Sequence, residues 1–389
     1  MQTVVNLPYR DHKRYYWLLS LFIPALVASG PLLYLSNQSA LSLWFPIVLT
    51  YGIFPWLDLW LGQDRSNPPE AAVPNLEADR YYRWVTYALV PLLWLGYVSG
   101  IWFFTSHHLA WHAQLAGVLT CGALGGYAIN LGHELGHKKT GFERWMARLI
   151  LAMTGYGHFY VEHNRGHHRD VATPEDPASS RMGESIYRFV LREMPGAFKR
   201  AWGLEKERLA KEGKSVWSWQ NEIVAPFLLT IVVYSVLIYW LGWQALPFIL
   251  GAALWSNFQL TSANYVEHYG LLRAKLPNGR YEVCNPQHSW NSNQVLSNWA
   301  VLHLQRHADH HAHPARRYQS LRHFDQAPQL PNGYFGMFVL AYLPPLWFAV
   351  MNPRLVQVVG GDAHKINFDP KQRAALIQQY GLHESPPTP

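Results

Sequence analysis

The sequence predicts an all-α membrane protein, with six transmembrane helices in three hairpins and a cytoplasmic, histidine-rich metal-binding region. Three observations lead there. Six stretches are long and apolar enough to cross a bilayer core, which takes about 20 residues at helical rise. Lys and Arg avoid the short turns between these stretches and collect in the long polar loops. Half of the 20 histidines fall in four short segments on the side of those loops. Composition agrees: of 389 residues, 49% are hydrophobic and only 15% charged, and 18 Trp with 22 Tyr suit a chain that meets two headgroup interfaces. The same figures exclude a mainly disordered chain.

Taken in order, the first span covers residues 15–35. The polar stretch before it lacks the short apolar core and small-residue cleavage site of a signal peptide, so an uncleaved anchor is expected. The remaining spans cover 41–61, 84–104, 109–131, 223–243 and 245–265. Only LSNQSA, TSHHLA and LGWQA separate the members of each consecutive pair, which makes three hairpins. The chain thus divides into residues 1–131 with four spans, a histidine-rich loop at 132–222, two more spans at 223–265, and a histidine-rich C-terminal region at 266–389. Of 32 Lys and Arg, three precede the first span, three lie in 62–83, fifteen in 132–222 and eleven after 266. Translocated short loops avoid positive charge, so both termini and both long loops are expected in the cytoplasm. A basic face beside anionic lipid also accounts for the net charge of +7, and no nucleic-acid-binding motif is present.

Smaller segments carry their own expectations. DVATPEDPASSRMGES reads as a surface turn cluster, and residues 190–213 as a cytoplasmic or interfacial helix. Residues 335–351 are apolar but short and broken by Pro344 and Pro345, which favours a packed or interfacial segment over a seventh span. The tail ESPPTP is expected to be disordered. Gly122, Gly125 and Gly126 in the fourth span suit close helix packing. Asp58, at the end of the second span, is read first as snorkelling into water and second as a functional carboxylate. Cys121 and Cys284 are too few for a disulfide framework or a four-thiolate site.

The chemistry lies in the histidines. In LGHELGHKK, His133 and His137 are four apart and share one helical face. In VEHNRGHHRD, His163 and His167 repeat that spacing beside His168. His268 sits just past the sixth span, and His307, His310 and His311 occupy i, i+3 and i+4, with His313 beyond. An exposed histidine pair is usually solvated, yet four clusters recurring at one membrane face point to metal. Imidazole suits zinc, copper, iron or nickel, and a tetrahedral zinc takes four protein ligands at most, so nine or ten histidines suggest two metals. Iron is the chemically sensible choice where dioxygen is the co-substrate. HELGH also fits the zinc-hydrolase pattern, but a protease leaves the other clusters without a purpose. No flavin or nicotinamide fingerprint appears, so reducing equivalents must come from a separate donor.

HELGHKK, EHNRGHH, NYVEHYG and LQRHADHHAHPARRYQSL, in that order, resemble the four signatures of membrane-bound alkane 1-monooxygenases, within the histidine-rich desaturase and hydroxylase superfamily. NYVEHYG and the fourth segment favour alkane hydroxylases over a fatty-acyl desaturase or hydroxylase, which is the second reading. Ala308 and Ala315 depart from the small hydroxylated residues common there. The resemblance implies that His133, His137, His163, His167, His168, His268, His307, His310 and His311 hold two iron ions. It leaves His313 as an outer residue and makes Glu134, Glu162, Glu267 and Asp309 candidates to accept a ligand's other N–H. Ion pairs with Lys138, Arg165 or Arg306 are the competing use of these carboxylates. Arg316 and Arg317 are expected to anchor their segment to lipid headgroups or to a carboxylate. The implied reaction takes an alkane from membrane lipid, O2 and two electrons, and gives a primary alcohol. The implied donor is rubredoxin, reduced in turn by rubredoxin reductase, and the implied location is the bacterial inner membrane.

Overall fold

The computed structural model describes residues 9–384, and every regular element among them is helical. The expectation for the tail ESPPTP falls, from residue 385 onward, outside the described residues. The helices that matter are α1 (Leu26–Asn37), α2 (Ala40–Leu61), α3 (Arg80–Ser106), α4 (Trp111–Gly136), α5 (Gly141–Ala152) and α6 (Ile186–Lys211). They are followed by α7 (Val224–Leu241), α8 (Ala245–His268), α9 (Val295–Ala300), α10 (His307–Ala312), α11 (Tyr334–Ala341) and α12 (Pro344–Val358).

Four of these, α2, α3, α4 and α7, are long and apolar enough to cross a membrane, and the number rises to six if two bent pairs each count as one span. The second to fifth expected spans are those four. The first is the bent pair Tyr16–Phe22 and α1, which meet at 51°. Pro24 lies at the break, and its missing N–H and fixed φ account for the bend. The expected sixth span is α8, which has the length but not the apolarity of the others. Its second half carries Ser256, Gln259, Thr261, Ser262, Asn264 and Glu267, all buried against the rest of the protein. Residues 335–351 form α11 and the start of α12, which turn back on each other by 118° as a packed segment. All three hairpin turns are present. Gly242 takes a φ of 82° in the last, a conformation that only glycine adopts freely.

α4 is buried along most of its length and packs on α8 through its glycines. A Cβ on Gly122 would stand 2.7 Å from Trp255, one on Gly126 would stand 2.6 Å from Gln259, and one on Gly125 would overlap Ser256. Close packing is therefore their role. α2 and α7 instead present Trp56, Trp60, Ile231, Val232 and Tyr239 outward, as a lipid-facing belt does. The apolar core runs through α3, α4 and α8, and a second cluster around Tyr265, Trp290, Trp347 and Leu355 supports the polar end of α8.

Two expectations are corrected. The turn cluster after Val171 is not on the surface: Ala172, Thr173, Asp176, Ala178, Ser179 and Ser180 are buried. Asp58 does not snorkel. It is buried and accepts the Ser297 N–H at 2.9 Å and the Ser297 hydroxyl, satisfying an otherwise orphaned donor in the first turn of α9. The expected helix at 190–213 is α6, which begins at Ile186 and buries Phe189, Glu193, Ala197, Ala201 and Glu205 along one face.

Candidate metal centre

The four histidine segments converge. His133 lies in the last turn of α4 and His137 ends that helix, while His268 is the last residue of α8. His163 and His167 sit on a π-helical turn, Glu162–His167, with His168 next, and α10 supplies His307, His310 and His311. All nine fall into two groups: His133, His137, His163, His168 and His310 in one, and His167, His268, His307 and His311 in the other. Within each group the candidate ligand atoms lie within 4.8 Å of one another.

The π turn changes a pairing that the sequence suggests. On an α-helix His163 and His167 would share a face and a site. In the wider turn the neighbour of His163 is one residue further on, and its Nε2 lies 3.0 Å from that of His168. His167 is left to the second group. α10 is shared in the same way, with His310 facing the first group and His307 and His311 the second.

The inward nitrogens fit a shared cation. Nε2 atoms of His133 and His310 are 2.8 Å apart, those of His168 and His310 3.0 Å, those of His268 and His307 3.2 Å, and those of His307 and His311 2.9 Å. Metal–imidazole bonds of about 2.0–2.1 Å set at right angles put ligand nitrogens about 3 Å apart. The Nε2 atoms of His137 and His167 are buried with no hydrogen-bond partner in the protein. Burial, followed by the neighbouring imidazoles, holds His163, His307, His310 and His311 well below the ordinary histidine range, so their lone pairs are available.

The carboxylates behave less uniformly. Glu134 pairs with Lys138 at 2.9 Å, the competing use foreseen for it. Glu162 pairs with Arg200 rather than Arg165, which turns to Glu205 and Glu222. Asp309 binds Arg316 at 2.9 Å and His313 Nδ1 at 2.9 Å, and His313 points away from both groups. Arg306 spends its guanidinium on the carbonyls of Leu321 and Asp64. Arg316 and Arg317 reach carboxylates, the latter Glu143 at 2.8 Å. Glu267 alone approaches an inward nitrogen, with Oε2 3.3 Å from His307 Nε2.

The residue that orients a histidine is Asp176, which sequence reasoning missed. Its Oδ2 accepts from His167 Nδ1 at 2.9 Å and from the Ser179 hydroxyl at 2.7 Å, and Arg200 donates to Oδ1 at 2.7 Å. Burial works against protonation of His167, but the Asp176 charge and hydrogen bond outweigh it and raise its pKa. Asp176 lies in a Pro-flanked stretch with no local pattern that marks it. Arg200, from α6, bridges Asp176 and Glu162.

An apolar cavity of about 100 Å³ ends on this site. Phe159, Leu260, Leu304, Phe335 and Phe338 line it, and His133, His163, His307 and Glu267 close one end. It reaches back along α4 to Ala123, ten residues before His133, or about 15 Å at helical rise. A smaller cavity of about 60 Å³ shares Thr50, Ala123, Tyr127 and Phe335 with it and extends toward α1.

A buried histidine site lining one end of an apolar cavity, on a bundle with membrane-length helices, defines a class, and comparison with known proteins agrees with it. The family model described as Fatty acid desaturase matches residues 109–341, which include all nine histidines. Alkane 1-monooxygenase 1 of Alcanivorax borkumensis is 52% identical over 98% of this chain and 95% of its own. Alkane 1-monooxygenase of Pseudomonas putida is 49% identical over 96% of this chain and 92% of its own. The xylene/toluene monooxygenase hydroxylase component XylM of Pseudomonas putida is 29% identical over 62% of this chain and 65% of its own. The chain belongs to the alkane 1-monooxygenase family of membrane oxidoreductases.

Proposed function

We propose that this protein hydroxylates the terminal methyl of medium-chain linear alkanes to primary alcohols, at two iron ions held by the nine histidines. The observation that carries the proposal is the convergence of nine buried imidazoles in two groups where an apolar cavity ends. The balance is one alkane, one O2, two electrons and two protons to one alcohol and one water. When bound, iron would activate O2, the oxidant in this balance, for attack on a C–H bond, which no side chain here can do.

The chain's own residues do the positioning. Phe159, Leu260, Leu304 and Phe335 exclude water and align an apolar chain along α4, so that only its end reaches His133, His163 and His307. A depth of about 15 Å suits a medium-length chain. Asp176 fixes the ring of His167. The apolar lining of the smaller cavity toward α1 and α2 supports entry from lipid. The concentration of Lys and Arg in the long loops supports cytoplasmic termini in a bacterial inner membrane and docking of an acidic electron carrier of the rubredoxin kind.

The test is product analysis with metal analysis on the same purified protein. Octane or dodecane should give the 1-alcohol with about two irons per chain. Turnover of acyl thioesters but not alkanes would favour the desaturase reading, and one zinc without iron would overturn the metal assignment.

A further inference from the structure

We infer that Glu267 is the anionic ligand that completes the four-histidine group, so that the two metal positions differ in charge. The inference rests on the two-metal reading above. Its Oε2 lies 3.3 Å from His307 Nε2, the inward nitrogen that also faces His268 at 3.2 Å and His311 at 2.9 Å. The oxygen therefore stands beside the donor atom of His307, at the edge of that group. One group has five histidines and the other four, and a bond from Glu267 would bring the second to five donors.

A second observation is independent of that distance. The other acidic residues next to one of the nine histidines in sequence, Glu134, Glu162 and Asp309, are buried and each has a Lys or Arg partner. Glu267 is equally buried, yet among the described residues no Lys or Arg reaches it. Its Oε1 accepts the Tyr334 hydroxyl at 2.7 Å, which fixes the carboxylate and leaves Oε2 turned toward the histidines. A buried carboxylate stays charged only beside a cation, and the cation that this position could offer is a metal held by the histidines.

An oxygen ligand carrying a full negative charge favours the higher oxidation state. The four-histidine position is then the one that binds iron more tightly and gives up an electron more readily. The five-histidine position, with neutral ligands only, stays ferrous longer. The test uses the full chain in detergent, reconstituted with ferrous iron without oxygen, then oxidised stepwise and followed by Mössbauer spectroscopy. Wild-type protein should show two inequivalent irons that oxidise in sequence. Glu267→Gln should weaken iron binding at one position by at least about tenfold and leave the other unchanged. Glu267→Asp, which keeps the charge but withdraws the oxygen, should weaken the same position and stands in should the Gln variant fail to fold. Wild-type affinity and spectra at both positions in a folded variant would overturn the inference. Wild-type protein that holds no iron at all would instead overturn the function proposed above.

Discussion

Replacing Asp176 with Asn tests how much one carboxylate, placed outside the histidine groups, controls them. The change preserves shape. Oδ1 can still accept from Arg200, as it does at 2.7 Å, but the atom facing His167 Nδ1 becomes an NH2 group, so that two donors oppose each other at 2.9 Å. His167 must then change tautomer, which puts its proton on Nε2 and blocks the lone pair, or turn, which moves Nε2 away from the four-histidine group. Loss of such an orienting partner costs about 10–100-fold in metal affinity, which is about 1.4–2.8 kcal/mol at about 1.4 kcal/mol per tenfold. A larger penalty, about 3–5 kcal/mol, would apply if Arg200 were left without any carboxylate; Glu162 keeps it paired. Chelator titration of the iron-loaded variant should therefore show one iron lost 10–100-fold more easily and the other held as in wild type, with the thermal transition little changed. Equal retention of both irons, or equal weakening of both in a folded protein, would refute the separate role of Asp176.

Other consequences can be measured on the same preparation. Gly125→Ala forces a Cβ into Ser256 and should lower stability by about 1–3 kcal/mol, read as a lower melting temperature. Burial raises the pKa of Glu193, on α6, to about 7. The stability it contributes is thus present below about pH 4.5 and lost as the pH rises to about 7, at about 1.4 kcal/mol per unit. Glu193→Gln should accordingly be more stable than wild type at pH 8, by up to about 3 kcal/mol, and no more stable near pH 4. His313→Ala should leave iron content at the wild-type level, because that side chain is 52% exposed and bound to Asp309. Electron transfer from an acidic carrier should slow as salt is added, and a rate indifferent to ionic strength would argue against docking on the basic face.

The histidines were legible because helical spacing brings their signal into short windows: His133 with His137, and His307 with His311, each share a face and a group. The hairpins were legible because span length and turn length are set by the bilayer. Three features were hidden for physical reasons. Asp176 and Arg200 act across distances in the chain that no local pattern records, and the Pro residues around Asp176 read as surface. The burial of Asp58 depends on α9, a short helix 239 residues further on, whose first-turn donor needs an acceptor. The π turn could not be read because its composition differs little from that of an α-helix, and it reassigns His167. The resemblance gave the correct family, but had Glu267 turned outward toward an N–H, whereas it faces an inward nitrogen.

The turn Glu162–His167 and helix α10 each send rings to both clusters. The gap between the clusters is consequently gauged by main-chain winding, not by the reach of flexible side chains. The backbone positions that send those rings change their spacing only if hydrogen-bonded backbone unwinds locally. Chemistry run across the two clusters would therefore start from attachment points held at one spacing, with much of the accommodation left to side chains and incoming molecules.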